Sequence, residues 1–343
     1  MTVTDNKTST ATPSAGRGTA PAPHRGVLAR FADPRWYGFY VLVVIVTLFS
    51  ILLPRTYPTI ANGTAIMSNE AVGLMLAVGM LIPLVAGYFD LSVASVLTLS
   101  MIVSVGAFQF FEAPTWLACL AGVLTGTAVG ALNGFSVAWL RINSMVATLA
   151  TGSIALGIAL WWTDGSIFAS NVPASFRALG DRVFGLPLPV ILAALLCVVI
   201  WWVLEKTPTG RYLYAMGDSQ DAARLAGLPT QRLTVGSFIA SGTVAGFAGV
   251  VEAAILGSGN PQVGAGFLLP AFAAVFLGAA IYTIGRYNVI GTVAAVLVLA
   301  ALVAGLQQFG LPFYIESLLK GTVLLAAVAF TSGRFSALVE ARR

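Results

Sequence analysis

Residues 68–111 read SNEAVGLMLAVGMLIPLVAGYFDLSVASVLTLSMIVSVGAFQFF. Two apolar runs, 68–87 and 91–111, flank a short break that contains Asp90. Each run has about 20 residues, the length that crosses the hydrocarbon core of a bilayer as a helix. The pattern therefore predicts membrane-spanning structure, either as two separate helices or as one region interrupted near Asp90.

Similar apolar runs recur along the chain, which has 343 residues, 58% of them hydrophobic and 9% charged. Soluble domains carry about 25% charged residues, so this composition excludes a water-exposed globule. The 36 glycines suit close packing of helices in a membrane. We predict an all-α, polytopic integral membrane protein with about ten transmembrane helices. The predicted segments are residues 36–53, 68–87, 91–111, 116–139, 145–163, 187–204, 233–256, 267–285, 288–306 and 313–331.

The basic residues indicate how these helices are oriented. With the N-terminus inside, 14 of the 18 Lys and Arg residues face the cytoplasm, three (Arg55, Arg177 and Arg182) face outward, and Lys320 lies in the membrane. Because positive charge favours the cytoplasmic side, we predict an N-in, C-in topology. The chain then divides into a disordered cytoplasmic tail (1–35), a transmembrane domain (36–332) and a cytoplasmic C-terminal tail (333–343). The net charge of +5 is explained by this topology, without nucleic acid as a partner.

Several kinds of chemistry are excluded by residue content. His24 is the only histidine, and Cys119 and Cys197 lie far apart in apolar runs, so the sequence predicts neither a metal site nor a disulfide scaffold. A phosphate-binding loop needs Gly-Lys followed by Ser or Thr, and none of the three lysines follows a glycine. We expect a protein that is not an enzyme, has no nucleotide-binding site of its own and requires no cofactor.

One long loop is predicted on the cytoplasmic side. Residues 205–232 read EKTPTGRYLYAMGDSQDAARLAGLPTQR. Pro208 and Gly210 break the preceding helix, Asp218 or Ser219 can cap a helix near 219–226, and Gly227 ends that helix. Such a short helix is marginal alone in water, so it needs a partner surface. It is either a surface connector or a docking helix that inserts into a groove of a cytoplasmic protein.

Polar residues inside the apolar segments are costly and therefore need an explanation. Asp90 either caps the following helix or lines a solute pathway, and both can hold. Glu252 either reaches the outer interface or faces a cavity. Glu316 precedes Lys320 by four residues, the favoured order for an ion pair on a helix. Helix–helix hydrogen bonds are the first expectation for Asn133, Asn143, Gln307 and Gln308. The pathway candidates are Asp90, Ser92, Asn143, Thr148 and Glu252.

Two blocks of the long loop, GRYLYAMG at 210–217 and AARLAG at 222–227, resemble the cytoplasmic coupling loop of ABC-importer permeases of the ribose/xylose type. Residues 87–93, GYFDLSV, resemble that family's Gly-x-x-Asp-Leu-Ser-Val signature. The family's Glu-Ala-Ala start of the coupling helix is Gln220-Asp221-Ala222 here, and its Gly-rich loop after the eighth helix is AAIYTIGR at 279–286. Further similar blocks are residues 145–149, 249–253 and 266–275.

The resemblance implies a permease subunit of a bacterial ABC importer in the inner membrane, which moves a sugar or similar small polar solute by alternating access. The implied partners are separate ATPase subunits, a periplasmic or lipid-anchored solute-binding protein docking near 164–186 and 257–266, and a second permease copy in a homodimer or heterodimer. A nucleoside or branched-chain amino-acid permease remains an alternative, and an ion-coupled secondary transporter a weaker one. The implied ATPase-coupling residues are Gly210, Arg211, Gly217, Asp218, Gln220, Asp221, Ala222, Arg224, Leu225 and Gly227.

Overall fold

In the part of the chain that the structure describes, ten long helices follow the ten apolar segments of the sequence. In a computed structural model, residues 37–283, 285–312 and 314–331 are described. The predicted tails, 1–35 and 333–343, lie outside the described residues. The first five helices are α1 (Tyr37–Leu52), α2 (Ile60–Val85), α3 (Val93–Phe111), α4 (Thr115–Ala138) and α5 (Ser144–Thr163).

The second half begins with a small unit of short elements between α5 and the next long helix. It contains the one-turn helix α6 (Ala174–Arg177), a 3-10 turn (Ala178–Gly180) and an antiparallel pair of two-residue strands, β1 (Arg182–Val183) and β2 (Leu186–Pro187). The remaining helices are α7 (Leu188–Lys206), α8 (Pro208–Asp218), α9 (Gln220–Leu225), α10 (Thr230–Leu256), α11 (Ala265–Ile281), α12 (Val289–Gln308) and α13 (Tyr314–Thr331).

Seven helices of the described chain are long and apolar enough to cross a membrane: α2, α3, α4, α5, α7, α10 and α12. The helices α1 and α11 are apolar but shorter. The fold is therefore a polytopic, all-α membrane fold, as the composition predicts.

The connections between helices gather at two ends of the bundle. At one end, Tyr214 in α8 donates a hydrogen bond to the carbonyl of Tyr287, between α11 and α12 (2.8 Å). At the other end, Gln308 at the end of α12 donates to Asn62 at the start of α2 (2.7 Å). There, the backbones of Phe168 and Gly259 also exchange hydrogen bonds. We name these the coupling end and the far end of the bundle.

The centre of the bundle is the contact between α4 and α10, the most extensive between any two elements. Glycines recur every fourth residue in α4, at 122, 126, 130 and 134, so they lie on one face of the helix. A Cβ atom added at Gly126 would lie 2.2 Å from the carbonyl oxygen of Gly242, and one at Gly130 would lie 2.4 Å from that of Phe238. The two backbones thus touch, which only glycine permits.

Candidate functional site

The chain between α2 and α3 is a non-helical break at residues 86–92, and its backbone amides are satisfied by side chains of α5. The N–H of Phe89 donates to the hydroxyl of Ser144 (3.2 Å), and the N–H of Leu91 donates to the hydroxyl of Thr148 (3.0 Å). Irregular backbone at membrane depth is tolerated where it is buried in protein and its polar groups are paired. The side chains of α5 therefore stabilise the non-helical conformation of the break.

Asp90 lies at the centre of this break and is 1% exposed. Its Oδ1 accepts hydrogen bonds from the backbone N–H of Ser92 (3.0 Å) and from the Ser92 hydroxyl (2.6 Å). Its Oδ2 accepts one from the hydroxyl of Ser241 in α10 (2.7 Å). The residue at the N-cap position of α3 is Ser92, whose side chain makes no capping bond. Asp90 therefore stabilises the approach to α3 and also ties it to α10.

The network continues from Ser92 into two further helices. The Ser92 hydroxyl accepts a hydrogen bond from the side-chain amide of Asn133 in α4 (2.8 Å). The Asn133 carbonyl oxygen in turn accepts one from Thr151 in α5. Asn133 is completely buried, as expected for a helix–helix hydrogen bond. A single chain of polar contacts thus joins α3, α4, α5 and α10 around Asp90.

The five predicted pathway residues do not meet at one place. Ser92 and Thr148 are buried beside the break, where their hydroxyls bond to protein. Asn143 is exposed at the coupling end and caps α5 by accepting from the N–H of Met145 (2.9 Å). Glu252 lies half-buried near the last turn of α10, and its carboxylate makes no hydrogen bond with the described residues. The five residues are therefore divided among the break and the two ends of the bundle.

Replacing Asp90 tests whether the break is held by its hydrogen bonds. Asp90→Ala leaves the buried partners on Ser92 and Ser241 without an acceptor, which costs about 1–3 kcal/mol for each group. Asp90→Asn keeps one acceptor oxygen and offers a donor to the Ser241 hydroxyl, so its loss is smaller. Thermal unfolding of the full chain in detergent should rank wild type above Asn and Asn above Ala. Equal melting temperatures for all three would contradict this role.

The long loop at 205–232 contains two helices where the sequence predicted one. Pro208 does follow the end of α7, but it also begins α8, because proline is well suited to the first position of a helix. The Thr207 hydroxyl caps α8 by accepting from the N–H of Gly210 (3.3 Å). The predicted helix near 219–226 is α9, capped by the Ser219 hydroxyl, which accepts from the N–H of Ala222 (3.3 Å). We name α8 and α9 together the coupling segment.

The helix α8 is packed tightly against the helix break. Leu213 and Met216 are 3% and 0% exposed on its inner face. At Gly217, an added Cβ atom would lie 2.1 Å from the carbonyl oxygen of Val85, at the end of α2. Only glycine permits so close an approach of the two backbones. Movement of α8 therefore acts directly on the chain at the start of the break.

A second contact joins α8 to the connection between α11 and α12. The Tyr214 hydroxyl donates to the carbonyl of Tyr287 (2.8 Å), and the Arg286 guanidinium lies 3.9 Å from the centre of the Tyr214 ring. Burial, and secondarily the nearby Glu205 carboxylate, raises the pKa of Tyr214 to about 12, so the phenol remains a neutral donor at physiological pH. The coupling segment thus contacts two different pairs of long helices.

Most residues of the helix α9 are exposed. Leu225 is 89% exposed and Arg224 is exposed, whereas Ala223 between α8 and the bundle is 4% exposed. An exposed leucine on a two-turn helix is an unpaired apolar contact that another protein can cover. Of the ten residues predicted to couple, only Gly210 is buried, and the others are exposed: Arg211, Gly217, Asp218, Gln220, Asp221, Ala222, Arg224, Leu225 and Gly227.

A cavity of about 650 Å³ lies between α9 and the break. Its walls include Gly87 and Tyr88 from the break, Arg141 from the connection between α4 and α5, and Asp221 and Arg224 from α9. Of the exposed residues of α9, Arg224 therefore borders this cavity, whereas Leu225 does not line it.

Comparison with known proteins shows which family this chain resembles. The family model for "Branched-chain amino acid transport system / permease component" matches residues 64–328. The chain is 32% identical to the ribose import permease protein of Escherichia coli K12, over 84% of this chain and 90% of that protein. It is 34% identical to the L-arabinose transport system permease protein of the same strain (86% and 90%) and 31% identical to its D-allose permease protein (85% and 90%). No solved structure gives a significant match.

Proposed function

Because this chain belongs to the family of permease components of branched-chain amino acid transport systems, we propose that it is the membrane-spanning subunit of a bacterial ABC importer for a sugar or similar small polar solute. The relatives named for ribose, arabinose and allose favour sugars over the amino acids of the family description. The protein lies in the inner membrane and takes its energy from a separate ATPase subunit.

The observation that carries this proposal is the coupling segment. An exposed Leu225 on α9 offers a contact for the ATPase. The helix α8 packs against Val85 and donates a hydrogen bond to Tyr287. Closure of the ATPase subunits would push α9, and α8 would pass the movement to α2 and to the α11–α12 connection. The two helix pairs then shift together, which opens one end of the bundle as the other closes.

We also propose that the chain crosses the membrane ten times, with both termini in the cytoplasm. The gathering of connections at two ends supports it, since successive connections alternate between the coupling end and the far end. Among the described residues, Arg141, Arg211, Arg224, Arg232 and Arg286 all belong to the coupling end. An excess of basic residues marks the cytoplasmic side. The solute-binding protein would then dock at the far end, near 164–186 and 257–266, and a second permease copy would complete the pathway.

Reconstitution into proteoliposomes tests the proposed function. We expect uptake of radiolabelled ribose, arabinose or allose only when the ATPase, the solute-binding protein and ATP are all present. Leucine and adenosine serve as the competing solutes, because they represent the amino-acid and nucleoside alternatives. Uptake by this chain alone, driven by an ion gradient and insensitive to ATP, would contradict the proposal and establish a secondary transporter.

A further inference from the structure

A second cavity, of about 260 Å³, lies between α2, α11, α12 and α13. Its walls carry polar groups from three of these helices: Asn69 and Glu70 from α2, Gln307 from α12, and Glu316 and Lys320 from α13. Gln307 lies next to Gln308, which bonds to Asn62, so the cavity belongs to the far end of the bundle. None of the pathway residues predicted from the sequence contributes to its walls.

Three of the polar groups already pair with one another. The Lys320 ammonium lies 2.5 Å from Oε1 of Glu316, as the four-residue spacing predicted. The Gln307 amide donates to the other carboxylate oxygen of Glu316 (2.8 Å). This arrangement neutralises Glu316 and fixes the side chains of α12 and α13 at one wall of the cavity.

Glu70 faces the same space, near the charges of Lys320 and Glu316 but without a hydrogen-bond partner among the described residues. Its side chain is half-buried. A carboxylate within a membrane helix is costly unless it meets water or a ligand. The cavity therefore offers the Glu70 carboxylate on one side and a fixed ammonium and amide on the other.

We propose that this cavity is a solute-binding station for a neutral, polyhydroxylated molecule, with its hydroxyls donating to Glu70 and accepting from Lys320. The inference rests on the proposed function and specifies where the permease itself contacts its solute. The carboxylate of an amino acid fits less well, because Glu316 already neutralises Lys320, the only ammonium in the described walls. The volume lies just below the roughly 300–1,000 Å³ typical of small-molecule sites, which suits a single sugar ring.

Protection of an engineered thiol tests the station. In the full chain with Cys119→Ser and Cys197→Ala, Gln307→Cys is labelled with a membrane-impermeant, positively charged methanethiosulfonate, and Asn69→Cys serves as a second reporter. The matched control is Leu318→Cys on α13, which is 60% exposed but does not line the cavity. We expect both cavity reporters to react, and we expect solutes to leave any labelling of the control unchanged, because Leu318 does not line the cavity.

Pentoses, hexoses and their alditols should slow the labelling of the cavity reporters. Adding Glu70→Gln should raise the half-protecting concentration by about tenfold, the loss expected when a hydrogen bond to a charged group is weakened. Labelling that no member of this panel slows, or protection that the Glu70→Gln substitution leaves unchanged, would overturn the station. Labelling requires neither ATP nor the ATPase. Such a result would therefore overturn the solute-binding station without contradicting the proposed function, which the reconstitution assay tests separately.

Discussion

Gly126→Leu is expected to prevent α4 from packing on α10 and to leave little correctly folded protein. A Cβ atom at this position would lie 2.2 Å from the carbonyl oxygen of Gly242, so the leucine side chain meets backbone that cannot rotate away. Overpacking a core usually costs about 1–3 kcal/mol, and this site, where two main chains touch, belongs at the upper limit or beyond. Size-exclusion chromatography and thermal unfolding of the detergent-solubilised full chain measure the effect.

The matched control is Gly157→Leu in α5. A Cβ atom at Gly157 has no neighbour within 4 Å, so the same substitution of a helical glycine creates no clash there. We expect this variant to fold and melt like wild type. Equal yields and melting temperatures for the two variants would show that the α4–α10 contact is looser than the glycine spacing requires.

The double substitution Arg224→Asp and Leu225→Asp is expected to release the ATPase without unfolding the permease. Both side chains are exposed, so the bundle loses no packing. An apolar anchor and a basic side chain on one short helix would typically contribute at least about 2 kcal/mol to an interface, which corresponds to roughly 30-fold in affinity. Co-purification of the ATPase with the tagged chain, and ATP-driven uptake, should both be lost.

Arg55→Asp provides the control for this pair. Arg55 is also exposed but lies between α1 and α2, in a connection predicted to face outward. It should leave ATPase association unchanged. Undiminished co-purification of the Arg224/Leu225 variant would mean that the ATPase binds elsewhere on the chain.

The helices were largely predictable from the sequence because a bilayer demands long apolar runs. Each of the ten predicted segments corresponds to one helix, and the break at Asp90 is visible as a polar interruption between two such runs. The helix α8 was missed because Pro208 was interpreted only as the end of α7. Its position after Thr207, a residue that can cap a helix, was the available signal that a new helix starts there.

The partners of polar side chains could not be predicted from spacing. Asp90 was expected to cap α3 or line a pathway, whereas its second oxygen binds Ser241, 151 residues away. Glu70 was not singled out, since it lies at the start of an apolar run and its neighbours Glu316 and Lys320 come from the other end of the chain. The Glu316–Lys320 pair was predictable because both residues lie on one helix.

Cross-linking is the most direct test of where α9 lies and of which protein it contacts. In the chain lacking Cys119 and Cys197, Leu225→Cys and Gln262→Cys place single thiols at the coupling end and the far end. A thiol-reactive photo-cross-linker should join the Leu225→Cys variant, and not the Gln262→Cys variant, to the ATPase subunit in native membranes. Modification of Leu225→Cys by a membrane-impermeant reagent applied to intact cells, with no cross-link to the ATPase, would contradict the account.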